Sequence, residues 1–248
     1  MTSPKFYIKE TDSTNNLIRK MMQDEVLPEG FMVYTDFQTA GKGQPGNTWE
    51  SEAGKNLLFS IVLYPHKIPI NEQFILSEIV SLSIKNVLSK YTDKITVKWP
   101  NDIYWNDRKI AGILIENSLK KNLINHCIIG IGLNINQTVF RSDAPNPVSL
   151  KQITGKEMDR EIILSEIHTE ILRQYEEFDK VFVHHQYLES LYRRENFHTY
   201  MDAIKHERFL ARIETVETDG KLILITDKNE RKAYYFKEIQ FDLKDQKR

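Results

Sequence analysis

The chain has 248 residues, a formal net charge of -1 and one cysteine, Cys127. That length accommodates one sizeable core and a small second domain. The charge balance gives no overall basic footprint for nucleic acid, the single cysteine excludes an internal disulfide framework, and no apolar run reaches membrane-spanning length. The opening MTSPKFYIKE has no apolar signal core, so a soluble, cytoplasmic chain is expected. Phe6–Ile8 reads as a short strand. Six polar residues follow, Thr11 to Asn16, and then Leu17, Ile18, Met21 and Met22 recur at helical spacing. One polar residue suffices to cap that helix. The rest leave hydroxyls and amides for a ligand.

Phe31–Phe37 is expected as a strand, with a loop from Gln38 to Trp49. Gly41, Gly43 and Gly46 spell G-x-G-x-x-G, but the match is a decoy for a dinucleotide fold. That fingerprint opens a helix and needs an acid at a strand end about 20 residues on. Here Pro45-Gly46-Asn47 denies the helix, and the next strand, Leu57–Tyr64, ends without an acid. No Ser or Thr follows Gly41-Lys42 as a Walker loop requires. What remains is a glycine-rich loop with one lysine, able to wrap an anion through backbone amides. From Asn71 a helix is expected, with Phe74, Ile75, Ile79, Leu82 and Val87 near one stripe and Glu72, Glu78, Lys85 and Lys90 mainly outside it.

Ile95–Lys98 is a strand leading into Trp99-Pro100-Asn101-Asp102, where the proline stops any helix. Ile103–Trp105 is a short strand, Asn106-Asp107 a turn, and Lys109–Glu116 the returning strand. Alternation puts Lys109, Ala111, Ile113 and Ile115 on one face, and Ile110, Gly112, Leu114 and Glu116 on the other. Gly112 leaves a hole that invites close approach to its backbone. A hairpin with a lysine, an aspartate and a bare glycine surface suits an anion. Leu123–Ile131 is a further strand holding Cys127 as a buried thiol, and it ends in Gly130-Ile131-Gly132-Leu133-Asn134-Ile135-Asn136. Alternation there suggests a strand edge with Asn134 and Asn136 on one face.

Gln137–Pro147 is a loop with two prolines, Pro145 and Pro147. Asp159 caps a helix expected to run to about Phe182, with Ile162, Ile163, Ile167, Ile171, Tyr175 and Phe178 inward. His184-His185 is a poor metal pair, since adjacent helical residues diverge by about 100 degrees. After the last helical piece, Val183–Leu191, short strands follow at Phe209–Val216, Leu222–Thr226 and Lys232–Tyr235, with an Asp219-Gly220 turn. They suggest a small β-barrel.

Lys98-Trp99-Pro100-Asn101-Asp102, followed by K-x-x-G at Lys109–Gly112, resembles the central signature of biotin–protein ligases. These enzymes attach biotin to a carrier-domain lysine. Asp12-Ser13-Thr14-Asn15 resembles their D-S-T-N segment, the glycine loop ending in Trp49 their G-R-G-R-x-G-x-x-W loop, and Gly130–Asn134 their G-x-G-x-N. The four motifs stand in family order, and the terminal strands, with Asn196-Phe197 near their start, resemble the family's SH3-like barrel. The resemblance implies an α+β fold: a mixed sheet with packed helices on one face, like class II aminoacyl-tRNA synthetase cores, then an SH3-like β-barrel. Residues 1–195 would be the catalytic biotin/ATP-binding domain and 196–248 the barrel. Bifunctional members carry a helix-turn-helix domain ahead of D-S-T-N. Eleven residues precede Asp12 here, so no DNA binding through that domain is expected.

The implied reaction activates biotin with ATP to biotinyl-5'-AMP and transfers it to a lysine of a biotin carboxyl carrier domain. A lipoate–protein ligase and a non-catalytic biotin sensor are the rival readings. Ser13, Thr14, Asn15, Gln38, Gly41, Lys42, Gly43, Gln44, Lys109, Gly112, Gly130 and Gly132 would meet biotin. Asn47, Trp49, Lys98, Asn101 and Asn134 would meet ATP or the adenylate, Trp49 being either the adenine-side wall or a core anchor. Lys109 would be catalytic with help from Lys42, and Asp102 would either hold magnesium or accept the proton of the incoming amine. ATP with Mg2+ and biotin are the expected ligands, with no tightly bound prosthetic group. The carrier protein is the expected partner, no membrane is expected, and a homodimer paired edge to edge is left open. Arg208, Arg212, Arg231 and Lys232 would face the phosphates or the carrier, or else solvent. Two departures stand out: Lys42 replaces the family's first loop arginine and Gln44 the second.

Overall fold

Runs of alternating or continuous apolar residues set up a seven-stranded sheet, ordered β1-β2-β3-β7-β6-β5-β4. Its strands are β1 (Lys5–Thr11), β2 (Met32–Gln38), β3 (Leu57–Leu63), β4 (Ile95–Lys98), β5 (Asp102–Trp105), β6 (Arg108–Lys120) and β7 (Leu123–Leu133). β1 and β2 run parallel and the other neighbours antiparallel. This computed structural model describes residues 3–44, 46–121, 123–142 and 146–242. Pro45, Pro145 and residues 243–248 of the expected barrel lie outside the described residues. No helix among the described residues is long and apolar enough to cross a membrane.

The two faces of the sheet bury different partners. Met32, Ile61, Leu63, Cys127 and Ile129 join the main core with α2 (Ile75–Leu88), α4 (Arg160–Glu177) and α5 (Lys180–Glu189). Their neighbours Val33, Val62 and Ile128 point the opposite way and pack with Ile18 of α1 (Thr14–Asp24). The expectation of helices on one face therefore holds for α2, α4 and α5, while α1 covers part of the other face. A five-residue helix, α3 (Leu150–Thr154), starts from a Ser149–Gln152 capping box and ends at the left-handed Gly155. Burial pushes the Cys127 thiol up to about 12, as suits a structural thiol.

Several expected elements shift. Ile70–Glu72 is one turn of 3-10 helix and α2 starts at Ile75, not Asn71. Glu78 is not on the solvent face: it is buried and lies 2.8 Å from His184 Nδ1. The long helix after Asp159 breaks at Phe178, because Asp179 accepts from Phe182 N and caps a new helix. Ile162 points outward, 56% exposed. Asn134 and Asn136 lie beyond the end of β7 and bond loops instead, Asn134 Nδ2 to Val148 O and Asn136 Nδ2 to Met158 O.

A second, antiparallel sheet follows. Its strands are β8 (His198–Asp202), β9 (Glu207–Val216), β10 (Leu222–Thr226), β11 (Arg231–Tyr234) and β12 (Ile239–Phe241), ordered β11-β10-β9-β8-β12. This is the sheet of the SH3-like part, and β8 and β12 are strands that the sequence pattern did not reveal. Gly220 adopts φ +89, the left-handed turn position where glycine is favoured. Its carbonyl accepts from Trp99 Nε1 at 2.9 Å, and Trp99 meets Phe236 edge-on. The motif that opens β5 is thereby tied to the second sheet.

Candidate active site

β4 passes through the cis Trp99-Pro100 bond into β5. Lys98 pairs with Asp102 and Thr96 with Tyr104, so Lys98, Asp102 and Tyr104 share a face. Across β5–β6, Asp102 pairs with Gly112 and Ile103 with Ala111, but Tyr104 pairs with Lys109. Ile110 has no counterpart. This bulge corrects the strict alternation expected from sequence: Lys109 comes round to the face of Gly112 rather than the opposite one. The result is a Lys109 Nζ–Asp102 Oδ1 ion pair at 2.7 Å. Asn101 braces the turn, exchanging hydrogen bonds with Ile113 through its amide nitrogen and carbonyl.

Gly112 faces Gly132 on β7, and Gly130 faces Leu114 and Ser60. The surface is not bare, as the sequence suggested. A Cβ on Gly132 would sit 2.3 Å from the Trp49 indole, and one on Gly130 would sit 2.4 Å from Asn15 Oδ1. Trp49 and Asn15 lie on the floor that the glycines leave open. Lys109 Nζ stands 5.6 Å from the centre of the Trp49 ring. Trp49 Nε1 and Asn134 Oδ1 are buried without a partner, two polar atoms a ligand would satisfy.

The glycine-rich loop reaches this floor as a hairpin. Lys42 pairs with Thr48, and Trp49 N donates to Gly41 O. Gly41 is buried under the backbone of Trp49 and does not line the cavity, a correction to its expected ligand contact. A Cβ there would meet Trp49 O at 2.6 Å. Lys42 Nζ donates to Asn16 Oδ1 at 2.8 Å, so the loop is held against α1. Beyond the loop, Glu50 accepts from Ser142 N at 2.6 Å and from Arg141 N. These bonds hold the Glu50 carboxyl below its usual range although burial opposes them.

At the start of α1, Ser13 is the cap residue by position, yet its side chain bonds no helix amide. Thr14 N donates to Gln38 Oε1 at 2.8 Å. These parts enclose a cavity of about 680 Å3, a size suited to a small ligand. Ser13, Thr14, Asn15 and Gln38 contribute to it from α1 and β2. Lys42, Gly43, Gln44, Asn47 and Trp49 contribute from the loop. Lys98, Asn101, Asp102, Lys109 and Gly112 line it from β4–β6, and Gly130, Gly132 and Asn134 from β7 and its end. Tyr104, Leu114, Glu50, Phe140 and Phe236 also line it and were not expected. Alternation across β5 pointed to Tyr104, two residues from Asp102; Phe236 carries no local signal.

Lys98 is held over the Tyr104 ring at 5.3 Å and the Phe241 ring at 4.8 Å. Burial pushes its ammonium pKa down, with Lys109 and Arg193 adding to that and Asp102 opposing it. A second cavity of about 440 Å3 shares Lys98, Tyr104 and Phe236 with the first and includes Arg208. Arg212, Arg231 and Lys232 line neither cavity; Arg231 pairs with Glu214 and Glu217. Among the described residues no three His, Cys, Asp or Glu side chains gather as a metal cage.

Residues 7–134, which span the D-S-T-N segment, the loop and both sides of the bulged hairpin, match the Biotin/lipoate A/B protein ligase family. The chain belongs to this family. It is 32% identical over 157 residues to the bifunctional ligase/repressor BirA of Bacillus subtilis (strain 168), covering 61% of this chain and 47% of that protein. It is 30% identical over 164 residues to the biotin–[acetyl-CoA-carboxylase] ligase of Paracoccus denitrificans, covering 63% of this chain and 67% of that one. The chain thus spans about half the length of the BirA relatives. A biotin protein ligase from Aquifex aeolicus, solved in complex with biotin and ATP, superposes with TM-score 0.77 at 24% identity. That likeness covers 96% of this chain and 98% of the other, and it establishes the family fold across both sheets.

Proposed function

We propose that this family member activates biotin with ATP and transfers it to a lysine of a biotin carboxyl carrier domain. One observation carries the reading. A single cavity has neutral hydroxyls and amides in Ser13, Thr14 and Asn15, and cations in Lys98 and Lys109, with Trp49 on the glycine floor. A cyclic urea needs neutral donors and acceptors, and a carboxylate meeting a phosphate needs cations. The relatives named as biotin ligases support the same assignment.

In the first step the biotin carboxylate oxygen attacks the α-phosphorus of ATP and pyrophosphate leaves. Charge builds on the phosphoryl oxygens, so positioning and electrostatic stabilisation are the catalytic need. Lys109 supplies it, oriented by Asp102. In the second step the carrier amine attacks the acyl carbon and AMP leaves. Asp102 is near enough to Lys109 to take the amine proton in the same site. Magnesium would come on the ATP phosphates, as this ion usually does. Asp102 is the residue that would touch it, but its Oδ1 already bonds Lys109, so the chain itself offers a poor cage. Residues 1–195 would carry this chemistry and the barrel from 196 onward would close its edge.

ATP–pyrophosphate exchange tests the reading, run with biotin, with lipoate and with neither. Exchange with biotin alone is expected. Exchange with lipoate alone would replace the substrate, and tight biotin binding without exchange would make the chain a sensor.

A further inference from the structure

Lys98 ends β4 on the face that Asp102 and Tyr104 share, and it lines both cavities. Lys109 has Asp102 as a partner and Lys42 has Asn16. The Lys98 ammonium makes no ion pair and no hydrogen bond among the described residues. A flexible four-carbon stem does not fix such a group by itself. Two aromatic rings do so here, and they come from different sheets: Tyr104 on β5, and Phe241 on β12.

β12 has three residues and pairs only with β8, at the edge of the second sheet. Its end is held from the other sheet. Asp107, in the β5–β6 turn, accepts from the Tyr192 hydroxyl at 2.6 Å. That hydroxyl accepts from Arg193 Nε at 3.1 Å, and Arg193 NH1 donates to Asp242 O at 2.9 Å. Arg193 is buried and adopts φ +59, a left-handed backbone that a long side chain seldom takes. The rings complete the arrangement. Tyr192 lies against Tyr104 at 5.2 Å and against Phe241 at 6.3 Å, and Tyr200 meets Phe241 edge-on at 5.1 Å.

We infer that Phe241, in the second sheet and outside the main cavity, is a positioning residue for adenylation: it fixes the Lys98 ammonium at the wall where the phosphates of ATP would lie. This rests on the ligase reading above and gives the second sheet a part in it through one side chain. Lys109 shares its charge with Asp102, so that pair brings little net charge to a triphosphate. Lys98 brings a whole one. Burial works against that charge, and the ring faces offset part of the cost because each turns its negative side to the cation. Were Phe241 a packing residue alone, the shape of its ring would matter and its charge distribution would not.

Fluorinated phenylalanines placed at position 241 separate these cases. They keep the shape of the ring and drain charge from its faces. Direct titration with ATP should show affinity falling as fluorines are added, by about fivefold for the pentafluoro ring, the size of one cation–ring contact. Titration with biotin should be unchanged. Phe241→Tyr, which keeps the ring face, should bind ATP as the unmodified chain does, and Phe241→Leu should lose at least as much as the pentafluoro ring. In a Lys98→Met background, fluorination should have no effect on ATP. ATP affinity indifferent to fluorination, or an equal loss with and without Lys98, would overturn the inference. These titrations need no turnover, so an unmodified chain that binds ATP without biotin-dependent exchange would remove the ligase reading as a separate outcome.

Discussion

Lys109 Nζ reaches Asp102 Oδ1 at 2.7 Å only because one unpaired residue, Ile110, turns Lys109 onto the face that Asp102 occupies. Strict alternation would have directed the lysine into the core with Ala111 and Ile113. The bulge is thus the feature that brings a cation to the cavity wall, where a carboxylate and a phosphate would meet.

Removing that cation should therefore slow chemistry, not only binding. Lys109→Ala is expected to lower kcat for biotin-dependent pyrophosphate exchange by about a hundredfold, the scale for losing one group that stabilises developing charge. The KM for biotin should rise as well, since the lysine also meets the ground-state carboxylate. A variant with weaker biotin binding and unchanged kcat would show that Lys109 only holds substrate.

The loop makes a second prediction. Lys42 donates to Asn16 on α1 at 2.8 Å, and Gln44 lines the cavity without charge. Neither offers the planar fork with which arginine grips a carboxylate or phosphate. Changing both to arginine should slow release of biotinyl-adenylate by about tenfold, the order of one added charge-assisted bond. Trapping released adenylate against time measures it, and equal rates would mean that the loop's side chains do not govern retention.

The glycine floor allows its two ends to be separated. In Gly132→Ala the new methyl would meet Trp49, and in Gly130→Ala it would meet Asn15 Oδ1. The first should raise the KM for ATP about tenfold with biotin affinity little changed, and the second should do the reverse. Thermal melts check that both fold. Equal losses for both ligands in both variants would mean that the floor is one packing unit without a nucleotide end and a biotin end.

Much of this site was legible because its motifs carry local chemistry. The polar run at Ser13–Asn15, the Pro100 stop and the Asn106-Asp107 turn each declare themselves without tertiary context. The same is true of β4 and β10, whose bounds follow from short apolar runs between turn residues. What the sequence hid is set by pairing between distant strands. The Ile110 bulge is a property of β5 against β6, and local alternation gave the wrong face for Lys109. Ser60 carries no sequence signal: it is a single polar residue on the buried β3, and its partners Thr14 and Asn15 come from 45 or more positions away. Glu78 read as a solvent-side helix residue because its partner, His184, is 106 positions away. Strands β8 and β12 are short and pair with each other across the second sheet, so neither shows a clear run of its own.

That Glu78–His184 pair gives the pH prediction. Burial pushes the Glu78 carboxyl up, against the pull of His184. The hydrogen bond to Glu78 pushes the His184 imidazole up, against burial. Both groups hold protons more readily folded than unfolded, so their contribution to stability declines as pH rises. For His184 the stabilisation is full below the ordinary histidine value of about 6.5 and is lost as pH climbs through the raised folded value. His126 and His168 are pushed down by burial, so their contribution is the opposite and is complete once pH exceeds that ordinary value. Among the histidines, the window just above it is therefore left to His184. Lys98, pushed down by burial, acts in the opposite sense below the ordinary lysine value, so the His184 contribution is the part of the pH dependence that His184→Gln removes. From about pH 6.5 toward 8.5 the urea midpoint of the unmodified chain should fall relative to that of His184→Gln, and Glu78→Gln, which removes the cause of the shift, should behave as His184→Gln does. The consequence reaches the site, because α5 also carries Tyr187, whose hydroxyl donates to Pro100 O at 3.2 Å. A loosened α2–α5 contact should therefore raise the KM for ATP over the same pH range. A fall in midpoint that survives His184→Gln unchanged would assign the pH dependence elsewhere.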